Sequence, residues 1–154
     1  MCGCILLFIE VSTGRLNRII EQFGKYVSVC DRTNLCINFK EENKAFRKLD
    51  KAISGILAVT YGQSGAIISD GRFLYKTGIF KNKKVIDRTG AGDAFGSGFV
   101  ARLIKGDIKE AIRLGLANAA SVVEKIGANK GALTRREFKN DKRWSKILIK
   151  IEEI

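Results

Sequence analysis

The chain has no proline and no histidine, and a single tryptophan and a single methionine among its 154 residues. Without proline, its turns must rely on glycine, Asn, Asp and Ser, and the 16 glycines become the main punctuation. Cysteine is sparse. Cys2, Cys4, Cys30 and Cys36 fit no common zinc spacing, and no histidine is present to complete one, so reduced thiols of a cytoplasmic protein are expected. A long apolar run is lacking too: Ile5 to Ile9 is too short for a membrane span or a signal-peptide core, and no basic region precedes it. Acidic residues are few, 16 against 28 Lys and Arg, which leaves a net charge of +12. The cations are nevertheless scattered along the chain. The one dense cluster, Arg135, Arg136, Lys139, Lys142, Arg143 and Lys146, reads as a solvated face, so neither a nucleic acid nor a membrane is expected as partner. With 45% hydrophobic and 29% charged residues the composition is that of a soluble globular protein, and the length suits one domain over 1–154 with a substantial core.

What is present centres on Asp87-Arg88-Thr89-Gly90-Ala91-Gly92-Asp93-Ala94-Phe95, a glycine-rich turn between the strand-like run ending at Ile86 and a helix opening near Asp93. Gly90 and Gly92 permit positive φ and close approach, so the N–H groups of Gly90, Ala91 and Gly92 can converge on one anion. The following helix adds the positive end of its dipole. Asp93 then has two readings. It is the N-cap of the helix, or it is a general base beside an anion hole, the division of labour that phosphoryl transfer needs. Rival phosphate motifs fail: no G-x-x-x-x-G-K-[ST] occurs, and Gly90-x-Gly92-x-x-x-Gly96 misses the dinucleotide fingerprint by one residue.

These residues resemble the C-terminal signature of the ribokinase-like, or phosphofructokinase-B-type, carbohydrate kinases. The resemblance implies that Asp93 is the catalytic base, that Gly90, Ala91 and Gly92 form the anion hole, and that Asp87 and Thr89 lie by a monovalent-cation (K⁺) site. Arg88 departs from the small hydroxyl residue or proline usual there. Upstream, Asn38-x-x-Glu41 is similar to the family motif that helps hold Mg²⁺ and the phosphates, and oxygen donors of this kind suit a hard cation. The loop after the strand at Ile56 to Thr60 resembles the nucleotide-side loop, which places Thr60, Gly62 and Gly65 by ATP. The same two glycines also read as a plain turn between strands. Asn118 matches the asparagine by the adenine, or is a buried Asn satisfying its neighbours. Gly127 and Ala128 belong to the loop that touches the nucleotide and cation sites.

The rest of the chain agrees with an α/β protein. Ile5 to Val11 is apolar throughout, as a central parallel strand would be. Leu16, Ile19, Ile20 and Phe23 recur at helical spacing, Leu35 to Ile37 reads as a strand, and Ala45, Phe46, Leu49 and Ile53 mark a helix over 42–53. Asp70-Gly71, between Ala66 to Ser69 and Arg72 to Lys76, is the strongest hairpin signal. Strand character is expected to continue through Thr77 to Phe80 and Lys84 to Ile86. Asp107 and the Thr134-x-x-Glu137 box open two later helices, the last reaching toward Trp144. The fold implied is a three-layer ribokinase-like sandwich with a mostly parallel central sheet and flanking helices, truncated at the N-terminus and without the sugar-binding lid. Its activity would be ATP-dependent phosphorylation of a sugar or sugar-like alcohol, with a nucleoside kinase or a non-catalytic nucleotide-binding module as the alternatives. The isolated chain is expected to bind nucleotide with little turnover, and a homodimer is implied only for the full-length form.

Overall fold

The computed structural model describes residues 4–10, 46, 47, 50, 51, 55–81, 84–127 and 130–154. The chain forms two compact units, Met1–Lys76 with Lys150–Ile154, and Thr77–Ile149. The helix expected over 42–53 and the strand at Leu35 to Ile37 fall largely outside the described residues. Those that are described, Phe46, Arg47, Asp50 and Lys51, are helical, with Phe46 buried and Arg47 and Lys51 exposed.

In the first unit the strands β1 (Cys4–Glu10), β2 (Gly55–Tyr61), β3 (Ala66–Ser69), β4 (Phe73–Thr77) and β5 (Ile149–Glu153) form one sheet in that spatial order. β1 runs antiparallel to β2, from Cys4 opposite Tyr61 to Glu10 opposite Gly55, and β3 runs antiparallel to β2, from Ser69 opposite Leu57 to Ala66 opposite Thr60. The described pairs are antiparallel, where a mostly parallel sheet is expected from the sequence. An apolar run marks a strand without fixing its direction, and the link from Tyr61 to Ala66 is far too short for a parallel crossover, which needs a dozen or more residues. Consecutive residues of β2 and β3, including Leu57, Ala58, Ile67 and Ile68, are buried, so both faces of these strands are covered.

The β3–β4 turn is built by Asp70. Its Oδ1 accepts from the N–H groups of Arg72 (3.0 Å) and Phe73 (2.7 Å), its Oδ2 accepts from the Tyr75 hydroxyl (2.9 Å), and Gly71 takes the positive φ of 84°. β5 was not anticipated from sequence. It lies beside β4, where the Ile154 N–H donates to Arg72 O (3.0 Å) and Lys76 Nζ meets Glu152 Oε2 at 2.8 Å.

The second unit is helical. α1 (Ala91–Leu103) and α2 (Ile108–Val122) pack on each other, and Phe95 and Phe99 of α1 and Ala111, Ile112 and Leu116 of α2 are buried. Phe95 and Phe99 are 1% and 0% exposed and their rings stack at 5.7 Å. Two glycines set the spacing: a Cβ on Gly98 would stand 2.6 Å from Asn118 Nδ2, and one on Gly115 would stand 3.0 Å from the Phe95 ring. Ala101, farther along α1, is exposed.

α2 opens on Asp107, whose side chain accepts from the Glu110 N–H, and the short α3 (Arg135–Asn140) opens on the predicted capping box of Thr134 and Glu137. α3 stops at Asn140, and a 3₁₀ turn, Lys142–Ser145, carries Trp144 into the core against Phe80. Strand structure expected at 78–80 and 84–86 is not found. Val85 and Ile86 are 44% and 49% exposed, and the Ile86 N–H donates to Val123 O at 2.7 Å rather than to a ladder. Among the described residues no helix is long and apolar enough to cross a membrane.

Candidate active site

The signature turn is organised by two local devices. Asp87 Oδ1 accepts from the Thr89 N–H at 2.9 Å, which bends the chain, and Gly90 then takes the left-handed conformation (φ 78°, ψ 1°) as the N-cap of α1. A residue bearing a Cβ would be strained there. The helix begins at Ala91, two residues before the expected start, so Asp93 is the third helical residue and the N-cap reading of Asp93 is excluded. Its side chain is exposed and makes no hydrogen bond or ion pair among the described residues.

The first intrahelical bond runs from the Ala94 N–H to Gly90 O, 2.9 Å, and the Ala91 N–H donates back to Arg88 O at 3.3 Å. Ala91 is thus engaged in closing the turn. The N–H groups left open among the described residues are those of Gly90, Gly92 and Asp93, the last two being orphans of a helix start. Three open donors and a free carboxylate within four residues are groups of the kind that can hold an oxyanion and accept a proton beside it.

Sequence reasoning missed how the turn is anchored. Asp87 Oδ2 accepts from the Gly127 N–H (3.2 Å), and the Ile86 and Asp87 N–H groups both donate to Val123 O at 2.7 and 3.3 Å. The Thr89 N–H, then the Thr89 hydroxyl and the Gly127 N–H, hold the Asp87 carboxyl below the usual carboxylate range. Asp87 thus joins Thr89 to Gly127 as a clamp between turn and loop. The partners are 40 residues apart, so only the prediction that both belong to one site could have hinted at the bond.

Asn118 is buried, and its Oδ1 accepts from the Leu133 N–H at 2.8 Å, tying the loop after Gly127 to α2. Thr60, Gly62 and Gly65 belong to the first unit: Thr60 is buried in β2, and Gly62 and Gly65, with φ of 54° and 97°, shape a tight turn in which the Tyr61 N–H donates to Gly65 O at 2.8 Å. That turn alone accounts for both glycines. Asn38, Glu41 and Ala128 lie outside the described residues. Among the described residues no group of three or more His, Cys, Asp or Glu is placed to hold a metal ion.

The model of the pfkB family of carbohydrate kinases matches residues 32–135, a span that contains the turn, the clamp and Asn118. The chain belongs to this family. Relatives within and around the family include an uncharacterized sugar kinase of Archaeoglobus fulgidus, 45% identical over 128 residues, covering 80% of this chain and 49% of the relative. A nucleoside kinase of Methanocaldococcus jannaschii is 33% identical over 144 residues, 87% of this chain and 45% of the relative. The crystal structure of that archaeal nucleoside kinase, described as a member of the ribokinase family, aligns over 82% of this chain and 38% of its own with a TM-score of 0.59 and 25% identity. Ribokinase of Arabidopsis thaliana, solved with ribose and ATP, aligns over 70% of this chain and 35% of its own with a TM-score of 0.62, also at 25% identity. The fold is thus α/β and ribokinase-like. The chain spans from about a quarter to about a half of the length of the curated relatives it matches, 27% of a phosphofructokinase of Thermoanaerobacterium thermosaccharolyticum and 49% of the archaeal sugar kinase.

Proposed function

We propose that the chain carries the phosphoryl-transfer half of a kinase that moves the terminal phosphoryl group of ATP to a hydroxyl of a sugar or sugar-like alcohol. The observation that carries this reading is Asp93, an exposed carboxylate without a partner among the described residues, set in the first helical turn directly after open N–H donors. In this reading Asp93 takes the proton of the acceptor hydroxyl as its oxygen attacks phosphorus. A positioned base contributes about 10²–10⁴ in rate. The N–H groups of Gly90, Gly92 and Asp93 receive the charge that develops on the phosphoryl oxygens, each such donor being worth roughly 3 kcal/mol in a preorganised site. Ala91 holds the turn closed through Arg88 O, and Asp87 fixes the turn against the Gly127 loop.

Thr60, Gly62, Gly65, Asn118, Gly127 and Ala128 are the proposed nucleotide contacts, with Asn118 acting through the loop it holds at Leu133. Asn38 and Glu41 would hold Mg²⁺, which would neutralise charge on the nucleotide phosphates, and Asp87 and Thr89 would hold K⁺. A nucleoside acceptor is the second reading, favoured by a nucleoside kinase that matches 87% of the chain.

Asp93→Asn removes the base at nearly constant shape. In the full-length form, phosphoryl transfer from ATP to ribose, fructose or adenosine should fall about 10²–10⁴-fold while ATP affinity is retained. Transfer that survives the substitution rejects Asp93 as base. ATP binding without transfer in either form makes the chain a nucleotide-binding module instead.

A further inference from the structure

A concavity of the second unit lies away from the signature turn. It is an open groove of about 680 Å³ beyond the C-terminal end of α2, bounded by α3 and the 3₁₀ turn, and its volume is that of a small-molecule site.

The charges lining it are unequally engaged. Glu124 is held by the Arg143 guanidinium through two bonds of 2.8 and 3.2 Å, Glu137 accepts from the N–H and hydroxyl of Thr134, and Asp141 accepts from the Arg143 N–H. Each acid in the groove already has donors. The cations Lys125, Arg136 and Lys142 line the same groove, are exposed, and form no ion pair among the described residues.

Two further donors belong to groove-lining residues. Trp144 is 4% exposed, and its Nε1 has no acceptor among the described residues, nor has the buried Nε of Arg143, whose guanidinium lies 4.0 Å from the Trp144 ring centroid. Engaged acids and free cations in one concavity suit an oxyanion.

We propose that this groove binds a phosphate-bearing small molecule, held by Lys125, Arg136 and Lys142. The site is separate from the signature turn and does not depend on the kinase reading.

Trp144 is the chain's single tryptophan, so its emission reports on the groove without interference. Titration of the whole chain with inorganic pyrophosphate should give a saturable change that sodium chloride at matched ionic strength does not reproduce. Arg136→Ala and Lys142→Ala should each weaken it about tenfold, the effect of one charge-assisted hydrogen bond. Lys105→Ala, which removes the same charge from an exposed turn outside the groove, should leave it unchanged. A response that follows ionic strength alone overturns the site, as does one that Lys105→Ala weakens as much as Lys142→Ala. A single-stranded oligonucleotide whose affinity grows with length and outcompetes pyrophosphate would mark an extended polyanion surface and equally overturn the small-molecule assignment.

Discussion

At the scale of single residues, aspartate does most of the construction, in three different ways. Asp70 and Asp87 spend both carboxylate oxygens on nearby donors and shape turns, Asp107 caps a helix, and Asp93 alone of these is left open. Burial alone would raise the Asp70 carboxyl, but the N–H groups of Phe73 and Arg72 and the Tyr75 hydroxyl outweigh it and hold the group below its ordinary value. Burial first, and the bond to Asp70 second, push the Tyr75 hydroxyl up to about 12. The signs differ at the two ends of the pH scale. Asp70 binds its proton less readily folded than unfolded, so its contribution is complete above the unfolded carboxylate value of about 3.9 and is lost as pH falls through the folded one. Tyr75 holds its proton more tightly folded, so its contribution is complete below about pH 10 and disappears as pH rises toward 12. Urea midpoints measured from pH 9 to 12 should therefore fall more steeply for the unsubstituted chain than for Tyr75→Phe, which has no hydroxyl to ionise. Parallel curves would show that the hydroxyl does not report on the fold.

At the scale of elements, close approach between α1 and α2 rests on glycine rather than on large apolar side chains. Gly98→Ala would set a methyl 2.6 Å from Asn118 Nδ2 and 3.0 Å from Leu114 O. The backbone atom cannot yield, and moving the amide breaks the bond to Leu133. A loss of about 1–3 kcal/mol is expected, read as a lowered thermal midpoint, with added exchange of the Leu133 amide. Gly71→Ala has open space around it, so any cost there comes from its φ of 84° alone. Such contacts mark what a sequence can and cannot disclose. The glycine turn at Gly90, the Asp70-Gly71 hairpin and the Thr134 box were legible because each is decided within four or five residues. β5 was overlooked although Ile149-Lys150-Ile151-Glu152 alternates with period two, because a short terminal run offers little pattern beside a charge-rich helix. The run at Lys84 to Ile86 misled in the opposite sense: apolar β-branched residues suggest a strand, yet here their backbone is recruited by the end of α2. Strand direction and the Asp87–Gly127 clamp depend on partners distant in sequence and were not decided by local chemistry.

At the scale of the whole molecule, two electrostatic effects bear on any nucleotide and must be separated. A net charge of +12 attracts a polyanion wherever it lands, and added salt screens that attraction regardless of the salt's identity. A cation held by Asp87 acts differently, because it would depend on which ion is supplied. Asp87 is suited to the task in one respect: its donors keep it ionised, and the turn and the Gly127 loop meet at its two oxygens, so a change there reaches both sides of the proposed nucleotide site. ATP affinity compared in potassium, sodium and tetramethylammonium chloride at one ionic strength holds the general field constant and varies only the ion. Tighter binding in potassium is expected, on the order of tenfold as for a typical coupling between linked sites. Asp87→Asn should remove the difference among the three salts while leaving the common dependence on ionic strength in place. Equal affinities in all three would assign Asp87 wholly to the clamp, and ion preference that persists in Asp87→Asn would place the cation elsewhere.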